Sequence, residues 1–356
     1  MAHGRRGRDH ERGRGRGRGR DHERQRDRDR HRGRDRDRRR GLEHRKASDI
    51  VSQSLELHAF EDSAALAGRL AEELGIGWQP VEVHRFPDEE SLVRVRSEGA
   101  SEAIVLRALD RPNPKLPEIL FAADALRRRG VGRIVLVAPY LGYMRQDRVF
   151  REGEAVSQRV VARLLGDAFD AVVTVEAHLH RIHALAEIFA CPARSLSAAP
   201  AIARWCRETG REALLVGPDA ESEPWVRALA EATGLPWIVG EKTRLGDREV
   251  VIELPDRLPS GDRGAVPELA LLVDDIASSG ATLAAAAAAL RARGIQRIEA
   301  VVAHALFAPG TEEVLRAAGL ARIVSTDTLS HPSNEITVAG SIAAYLSDEL
   351  GLGSQT

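Results

Sequence analysis

The chain holds only two cysteines, Cys191 and Cys206, among 356 residues. A disulfide framework is excluded for a chain of this size, and the pair fits no metal-ligand spacing, so a reducing compartment is expected. No apolar run approaches the roughly 20 residues that a membrane-spanning helix needs. No signal-peptide pattern is present either, and a cytoplasmic protein without membrane contact is expected. The first 46 residues lack almost every apolar side chain and have no aromatic one. Such a segment cannot bury enough surface to offset its ordering entropy, so a disordered Arg/Asp/Gly-rich tail is expected over 1–47.

Charge divides the chain in the same place. Residues 1–46 carry 20 Lys/Arg against 9 Asp/Glu, and the other 310 carry 32 against 44. The overall net charge of −1 therefore describes neither part. Three readings of the tail stand side by side: an inert or solubilising extension, a non-specific nucleic-acid contact, and an over-extended start with Val51 as alternative initiator. Without aromatics the tail has nothing to stack on bases, and interleaved Asp cancels part of its charge. Its acidic residues also argue against a transit peptide.

Beyond the tail, short β-rich runs alternate with amphipathic helical patterns, the signature of parallel α/β sheets. Strands are predicted over 55–59, 81–85, 92–95, 103–106, 133–138, 171–175, 213–216, 237–239, 250–253, 269–273, 298–303 and 323–326. Helices are predicted over 62–74, 116–129, 157–165, 222–232, 281–293 and 312–318. The length suits two domains. Similar spacing on both sides of about residue 200 implies two related halves, over 50–198 and 199–350, although no internal sequence repeat marks a duplication.

The stretch Leu269-Ala-Leu-Leu-Val-Asp-Asp-Ile-Ala-Ser-Ser-Gly-Ala-Thr-Leu283 says most about chemistry. A strand ends in Asp274 and Asp275, a small turn follows over Ser278, Ser279, Gly280, Ala281 and Thr282, and an Ala-rich helix begins. A helix start presents unpaired N–H groups and a positive dipole end, which suits a phosphate. Gly280 allows close backbone approach, and the hydroxyls add donors. The carboxylates stand at the carboxyl end of a strand, where open α/β sheets bind ligands, and can hold sugar hydroxyls directly or through a hard cation. Helix capping alone needs one acid and no such turn. The stretch reads as a ribose-phosphate cradle.

Five further segments carry candidate chemistry. Arg85-Phe-Pro-Asp-Glu-Glu90 is a turn between two strands, and alone reads as a hairpin loop. Pro139-Tyr-Leu-Gly-Tyr-Met-Arg-Gln-Asp-Arg148 offers Arg145 and Arg148 to phosphate oxygens and two tyrosines to a base, or else forms a surface ion-pair cluster. In Val172-Val-Thr-Val-Glu-Ala-His-Leu-His-Arg-Ile-His183, three histidines lack the further ligand a zinc site needs, whereas one His beside a hard cation or phosphate is easily satisfied. Leu214-Leu-Val-Gly-Pro-Asp-Ala220 is a strand ending in Asp219. Gly240-Glu-Lys-Thr-Arg-Leu-Gly246 puts Lys242 and Arg244 on a polar, mobile loop, as transfer of a phosphorus group requires.

In this order and at this spacing, the segments resemble ribose-phosphate pyrophosphokinase (PRPP synthetase), over about residues 55–350. The Asp274–Thr282 stretch resembles the PRPP-binding loop shared with type I phosphoribosyltransferases, which would be about one domain long and lack the first half. The resemblance implies two phosphoribosyltransferase-like α/β domains, each a mainly parallel sheet flanked by helices, the last helix packing on the first domain. It implies transfer of the β,γ-diphosphate of ATP to ribose 5-phosphate, with Mg²⁺, in a homo-oligomer of two or more copies. Phe86, Asp88 and Glu90 would contact the nucleoside of ATP from a neighbouring copy, with Arg145, Gln146 and Asp147 on the ATP side. His178 and Asp219 would hold the metal or its water shell. Asp274 and Asp275 would take ribose hydroxyls, Ser278 to Thr282 the 5-phosphate, and Lys242 with Arg244 the diphosphate in transit.

The sequence departs from the family pattern at three places. Glu176 stands for the usual Asp two residues before the His, Glu221-Ser222 for a Gly pair after Asp219, and Ser278 for an Asp in many bacterial and animal members. Ser278 and the pair Gly153-Glu154 suit archaeal-type members. Two other readings remain: a phosphoribosyltransferase that spends PRPP, and a silent synthetase-like regulatory subunit.

Overall fold

A computed structural model describes residues 55–179, 181–244, 250–261 and 264–353. The tail expected to be disordered, His180 and the end of the Lys242 loop lie outside the described residues, as does the side chain of Arg244.

The first half runs β1 (Leu55–Ala59), α1 (Ala64–Leu74), β2 (Trp78–Pro80), β3 (Glu82–Arg85), β4 (Ser91–Arg94), β5 (Glu102–Leu106) and α2 (Pro112–Arg128). It continues through β6 (Arg133–Val137), α3 (Ser157–Ala168), β7 (Ala171–Val175) and β8 (Ala193–Leu196). The second half opens with α4 (Ala199–Glu208), β9 (Leu214–Gly217), α5 (Glu223–Thr233), β10 (Trp237–Val239), β11 (Glu241–Arg244) and β12 (Val250–Glu253). Then come β13 (Leu269–Ala277), α6 (Ala281–Ala292), β14 (Arg297–Ala305), α7 (Thr311–Ala317), β15 (Leu320–Thr326), β16 (Asn334–Ile336) and α8 (Ala339–Ala344).

Each half builds one six-stranded parallel sheet, ordered β2-β1-β5-β6-β7-β8 and β10-β9-β13-β14-β15-β16. The two orders are the same once each half's antiparallel hairpin, β3–β4 or β11–β12, is set aside. Each hairpin also leaves the chain at the same point, between the second and third sheet strands. The related halves expected from spacing are thus present as repeated topology.

Local chemistry explains where the pattern and the structure part. α2 starts at Pro112 rather than 116, because Pro112 and Pro114 sit in the first turn, where no intrahelical N–H is needed. The edge strands β2 and β16 and the strand β8 are too short or too mixed to announce themselves. β13 runs past residue 273 to Ala277, its end laddered to His304 and Ala305 of β14. The expected loop over Lys242 and Arg244 is instead the strand β11, with Lys242 opposite Ile252. Its β-branched Thr243, facing Val251, favours an extended ladder.

One apolar core serves both halves. It joins Leu66 and Leu70 of α1, Val135 and Val173 of the first sheet, Ile202 and Trp205 of α4, Trp225 and Leu229 of α5, Leu271 and Val301 of the second sheet, and Ile342 of α8. α8 packs against α1, and α4 against α5. Arg69 also pairs with Asp327 across the halves at 3.0 Å, but the Arg69 side chain is 46% exposed. Such a pair contributes about 0–1 kcal/mol, whereas each buried Leu, Ile or larger side chain contributes roughly 1.5–3 kcal/mol. Packing holds the halves together.

The other face of the first sheet buries a polar knot. Glu118 of α2 is fully buried; it accepts from Arg107 at 2.5 Å, from Ser91 at 2.7 Å and from Arg85 at 3.2 Å. Both strands of the β3–β4 hairpin are therefore tied, right beside its turn, to one carboxylate.

Ile342→Ala should cost about 2–5 kcal/mol by leaving a cavity. Because the core is shared, urea unfolding should remain one transition when followed by both tryptophan fluorescence and circular dichroism. Two separated transitions would contradict the shared core.

Candidate active site

The site gathers where strands of both sheets end. Asp274 and Asp275 are adjacent in β13, and the Asp275 amide donates to Asp274 at 3.0 Å. From the first half, His178 follows β7 and its Nδ1 donates to Asp275 Oδ2 at 2.7 Å. Asp219 follows β9 and accepts from Lys242 Nζ of β11 at 2.8 Å, both side chains being less than one-fifth exposed. Burial, then the charges of Asp275 and Asp219, push the Asp274 carboxyl well above the usual range. Burial would also raise Asp275, but the His178 contact and the nearby His304 outweigh it and hold that carboxyl below its usual value. Crowded carboxylates are driven apart in this way whenever one of them gains a cationic or donor partner.

The turn expected to cradle a phosphate, Ser278–Thr282, forms directly beyond. Gly280 has φ 75°, and a Cβ there would stand 3.0 Å from Leu315 and Thr311 of α7. Thr311 Oγ1 donates to the Ser278 carbonyl at 2.8 Å, and the Ala308 amide does so at 3.1 Å. α6 begins at Ala281, its first ladder bond running from the Ala284 amide to the Gly280 carbonyl. The earliest amides of such a helix have no acceptor within it and suit an anion. Ser279 is exposed, and Ser278, Ala281 and Thr282 are half-buried.

A cleft of about 430 Å³ lies beside this turn. Tyr140, Tyr143, Arg145 and Gln146 line it from the first half, and Ser278 and Leu306 from the second. Asp147 is turned inward: its carboxylate is 4% exposed and lies 3.4 Å from Arg181. Phe86, Asp88 and Glu90 occupy the exposed tip of the β3–β4 hairpin, where contacts are local. Asp88 accepts the Glu90 amide at 3.3 Å, and Phe86 stands edge-on to His84. The structure thus brings His178, Asp219, Lys242, Asp274 and Asp275 into paired contact, and places Arg145 and Gln146 beside the Ser278 turn. Asp147 and the hairpin tip stand apart from that cleft.

Two of the three departures from the family pattern, Glu221-Ser222 and Glu176, have hydrogen-bonding partners in the fold. Ser222 is buried against Gly217 and donates to the Asp219 carbonyl at 2.5 Å. The Glu221 amide donates to Asp219 Oδ1 at 3.1 Å, so this turn fastens Asp219. Glu176 follows β7 and takes its donors from the start of α4 and from α5. Its Oε1 accepts from the Ala198 amide at 2.6 Å, Trp225 Nε1 at 2.7 Å and Ser197 Oγ at 2.8 Å. Burial raises its carboxyl above the usual range against those three donors.

His304 is a residue that sequence reasoning missed. It is the next-to-last residue of the buried strand β14, with Nε2 3.1 Å from the Val175 carbonyl and 3.2 Å from that of Glu176, and Nδ1 2.8 Å from Thr328 Oγ1. Tyr140 stands edge-on to its ring at 4.9 Å. A lone histidine at the carboxyl end of an apolar strand was the available signal. Among the described residues, no group of three or more His, Cys, Asp or Glu forms a ready metal shell.

Burial lowers the His304 imidazole to about 4 from an ordinary 6.5. The unfolded chain therefore binds this proton first. The stabilisation is complete above pH 6.5 and is lost as pH falls toward 4, by roughly 3 kcal/mol. His304→Gln should flatten that part of the unfolding free energy against pH, measured by urea titration. An unchanged slope would show that His304 does not fold as the neutral ring.

Residues 55–168 match the N-terminal domain of ribose phosphate pyrophosphokinase, and residues 187–324 match the phosphoribosyl transferase domain. The ribose-phosphate pyrophosphokinase of Methanopyrus kandleri is 35% identical over 288 residues, spanning 80% of this chain and 96% of that protein. That of Thermococcus kodakarensis is 33% identical over 282 residues, spanning 78% and 94%. The crystal structure of phosphoribosylpyrophosphate synthetase from Mycobacterium smegmatis superimposes with a TM-score of 0.69 at 25% identity, covering 84% of this chain and all of that one. By these matches the chain, with its two parallel sheets, belongs to the ribose-phosphate pyrophosphokinase family.

Proposed function

We propose that this chain transfers the β,γ-diphosphate of ATP to the 1-hydroxyl of ribose 5-phosphate, giving PRPP and AMP. The observation that carries the reading is the convergence of the Asp274–Asp275 pair, the Asp219–Lys242 pair and His178 beside the Gly280 turn. A cradle alone serves any enzyme that binds PRPP; a cation on a hairpin beside it suits transfer of a diphosphate.

Asp274 and Asp275 receive the ribose hydroxyls, and the turn Ser278-Ser279-Gly280-Ala281-Thr282 wraps the 5-phosphate with amides and hydroxyls. The nucleotide takes the neighbouring cleft, with Arg145 on phosphate and Gln146 beside it, while Asp147 braces the segment from within. Phe86, Asp88 and Glu90, exposed on their hairpin, reach the nucleoside of ATP bound to a neighbouring copy, which makes the enzyme at least a dimer. The sugar hydroxyl oxygen bonds to the β-phosphorus as the bond from that phosphorus to the α-phosphate oxygen breaks; AMP leaves, and the hydroxyl proton passes to solvent. Lys242 turns from Asp219 to the oxygens in transit, and Arg244, next but one along β11, joins it. Preorganised positive charge is what such a transfer needs, since no covalent enzyme intermediate forms.

Mg²⁺ fits this donor set, because it keeps several waters and takes few protein ligands alongside substrate phosphates. His178 and Asp219 would hold it or its water shell, and when bound it neutralises phosphate charge. No described helix is long and apolar enough to cross a membrane, and both cysteines are free. We place the enzyme in the cytoplasm on that chemistry.

With ATP, Mg²⁺ and ribose 5-phosphate, AMP release should require the sugar phosphate. Lys242→Ala should slow it by about 10²–10³-fold. Equal rates for the variant and the parent would remove Lys242 from the mechanism. Deleting residues 1–46 should leave turnover intact; a large loss would give the tail a role in the reaction.

A further inference from the structure

The turn that carries His178 is gripped by groups that touch none of the substrate positions. Glu176 follows β7 with φ 39°, a left-handed conformation that side-chain-bearing residues rarely adopt. Surrounding contacts must hold it there. On the first half's side, its Oε1 takes the Ala198 amide and the Ser197 hydroxyl at the start of α4. From the second half, Trp225 of α5 donates its indole N–H to the same oxygen at 2.7 Å. His304 reaches the main chain of the same residue, Nε2 lying 3.2 Å from the Glu176 carbonyl.

Residue 176 is therefore held by side chain and backbone alike from the opposite half. Two positions on, His178 meets Asp275. Trp225 in turn lies on the helix that follows Asp219, whose carboxylate holds Lys242. We propose that Glu176 and Trp225 form a positioning bridge that keeps His178 in register with the acid pairs of the second half. The proposal builds on the reaction assigned above, and adds residues that touch neither substrate.

Side-chain length decides whether the bridge forms. An aspartate would draw the carboxylate back by about 1.5 Å, one C–C bond. A bond of 2.7 Å to Trp225 lengthened by that much is no longer a hydrogen bond, unless the contacts at Ser197 and Ala198 are given up instead. A glutamine keeps the length and an Oε1 able to accept all three donors. A residue acting as a cation ligand would rank these substitutions the other way, since aspartate keeps the charge and glutamine loses it.

The test compares Glu176→Asp, Glu176→Gln, Trp225→Phe and the Glu176→Asp/Trp225→Phe double variant in the full chain. Turnover is measured together with hydrogen exchange of the amides over 176–178 and at Ala198. Glu176→Asp and Trp225→Phe should each lower kcat by about 10–100-fold, the scale of a 1 Å misplacement, with KM for either substrate changed less than about threefold. The double variant should be no worse than the poorer single one, because both cut the same bridge. Glu176→Gln should stay within about threefold of the parent. Exchange over 176–178 should rise in the Asp and Phe variants and not in the Gln variant. Full activity with Asp, loss with Gln, or additive losses would overturn the bridge, as would unchanged exchange in the Asp and Phe variants. If the parent chain itself releases no AMP, the assigned reaction fails, and the exchange measurements still decide whether the bridge holds the turn.

Discussion

The site depends on carboxylates packed more tightly than their charges allow. Asp274, Asp275 and Asp219 crowd the carboxyl ends of β13 and β9, and two of them gain a partner from elsewhere in the chain. His178 comes from the first half to Asp275, and Lys242 comes from a hairpin to Asp219. Remove the shared core and these partners have no reason to meet. With it, an acid cluster that would repel phosphates becomes a set of paired charges, ready to exchange one partner for a substrate. Neither half is sufficient: the second brings the acids and the Gly280 turn, and the first brings the histidine and most of the walls of the neighbouring cleft.

Repetition of the fold puts opposite charges on equivalent hairpins. Each half sends a hairpin out between its second and third sheet strands. In the first half its tip bears Asp88 and Glu90, and the strand ends that flank this tip are tied to the buried Glu118. In the second the same device carries Lys242. An acidic tip suits ribose hydroxyls and base nitrogens, whereas a cationic arm suits oxygens gaining negative charge. One architecture thus supplies both sides of a transfer between a nucleotide and a sugar phosphate, without detectable sequence repetition.

Much of this was legible in the sequence, and the misses share a physical cause. The alternation of β-rich and amphipathic segments gave the sheets, and the run from Asp274 to Thr282 gave the cradle, because strand, turn and helix start are local features. The Lys242 segment reads as a loop because a short strand with charged ends looks polar; its ladder partner lies beyond the turn. Prolines concealed the start of α2 by sitting where a helix tolerates them. The contacts around Glu176 were beyond reach for another reason. Trp225 is 49 positions away and His304 is 128, so no local spacing could connect them. Glu176 was recognisable as unusual for its family; the donor that its extra methylene reaches was not.

The central claim is that a diphosphate, and not a single phosphate, passes to the sugar. The most direct measurement follows the label from ATP carrying ³²P at the β-phosphorus, with ribose 5-phosphate as acceptor. The account predicts that the label moves to the sugar product while unlabelled AMP is released. Label remaining in the nucleotide as ADP would contradict it.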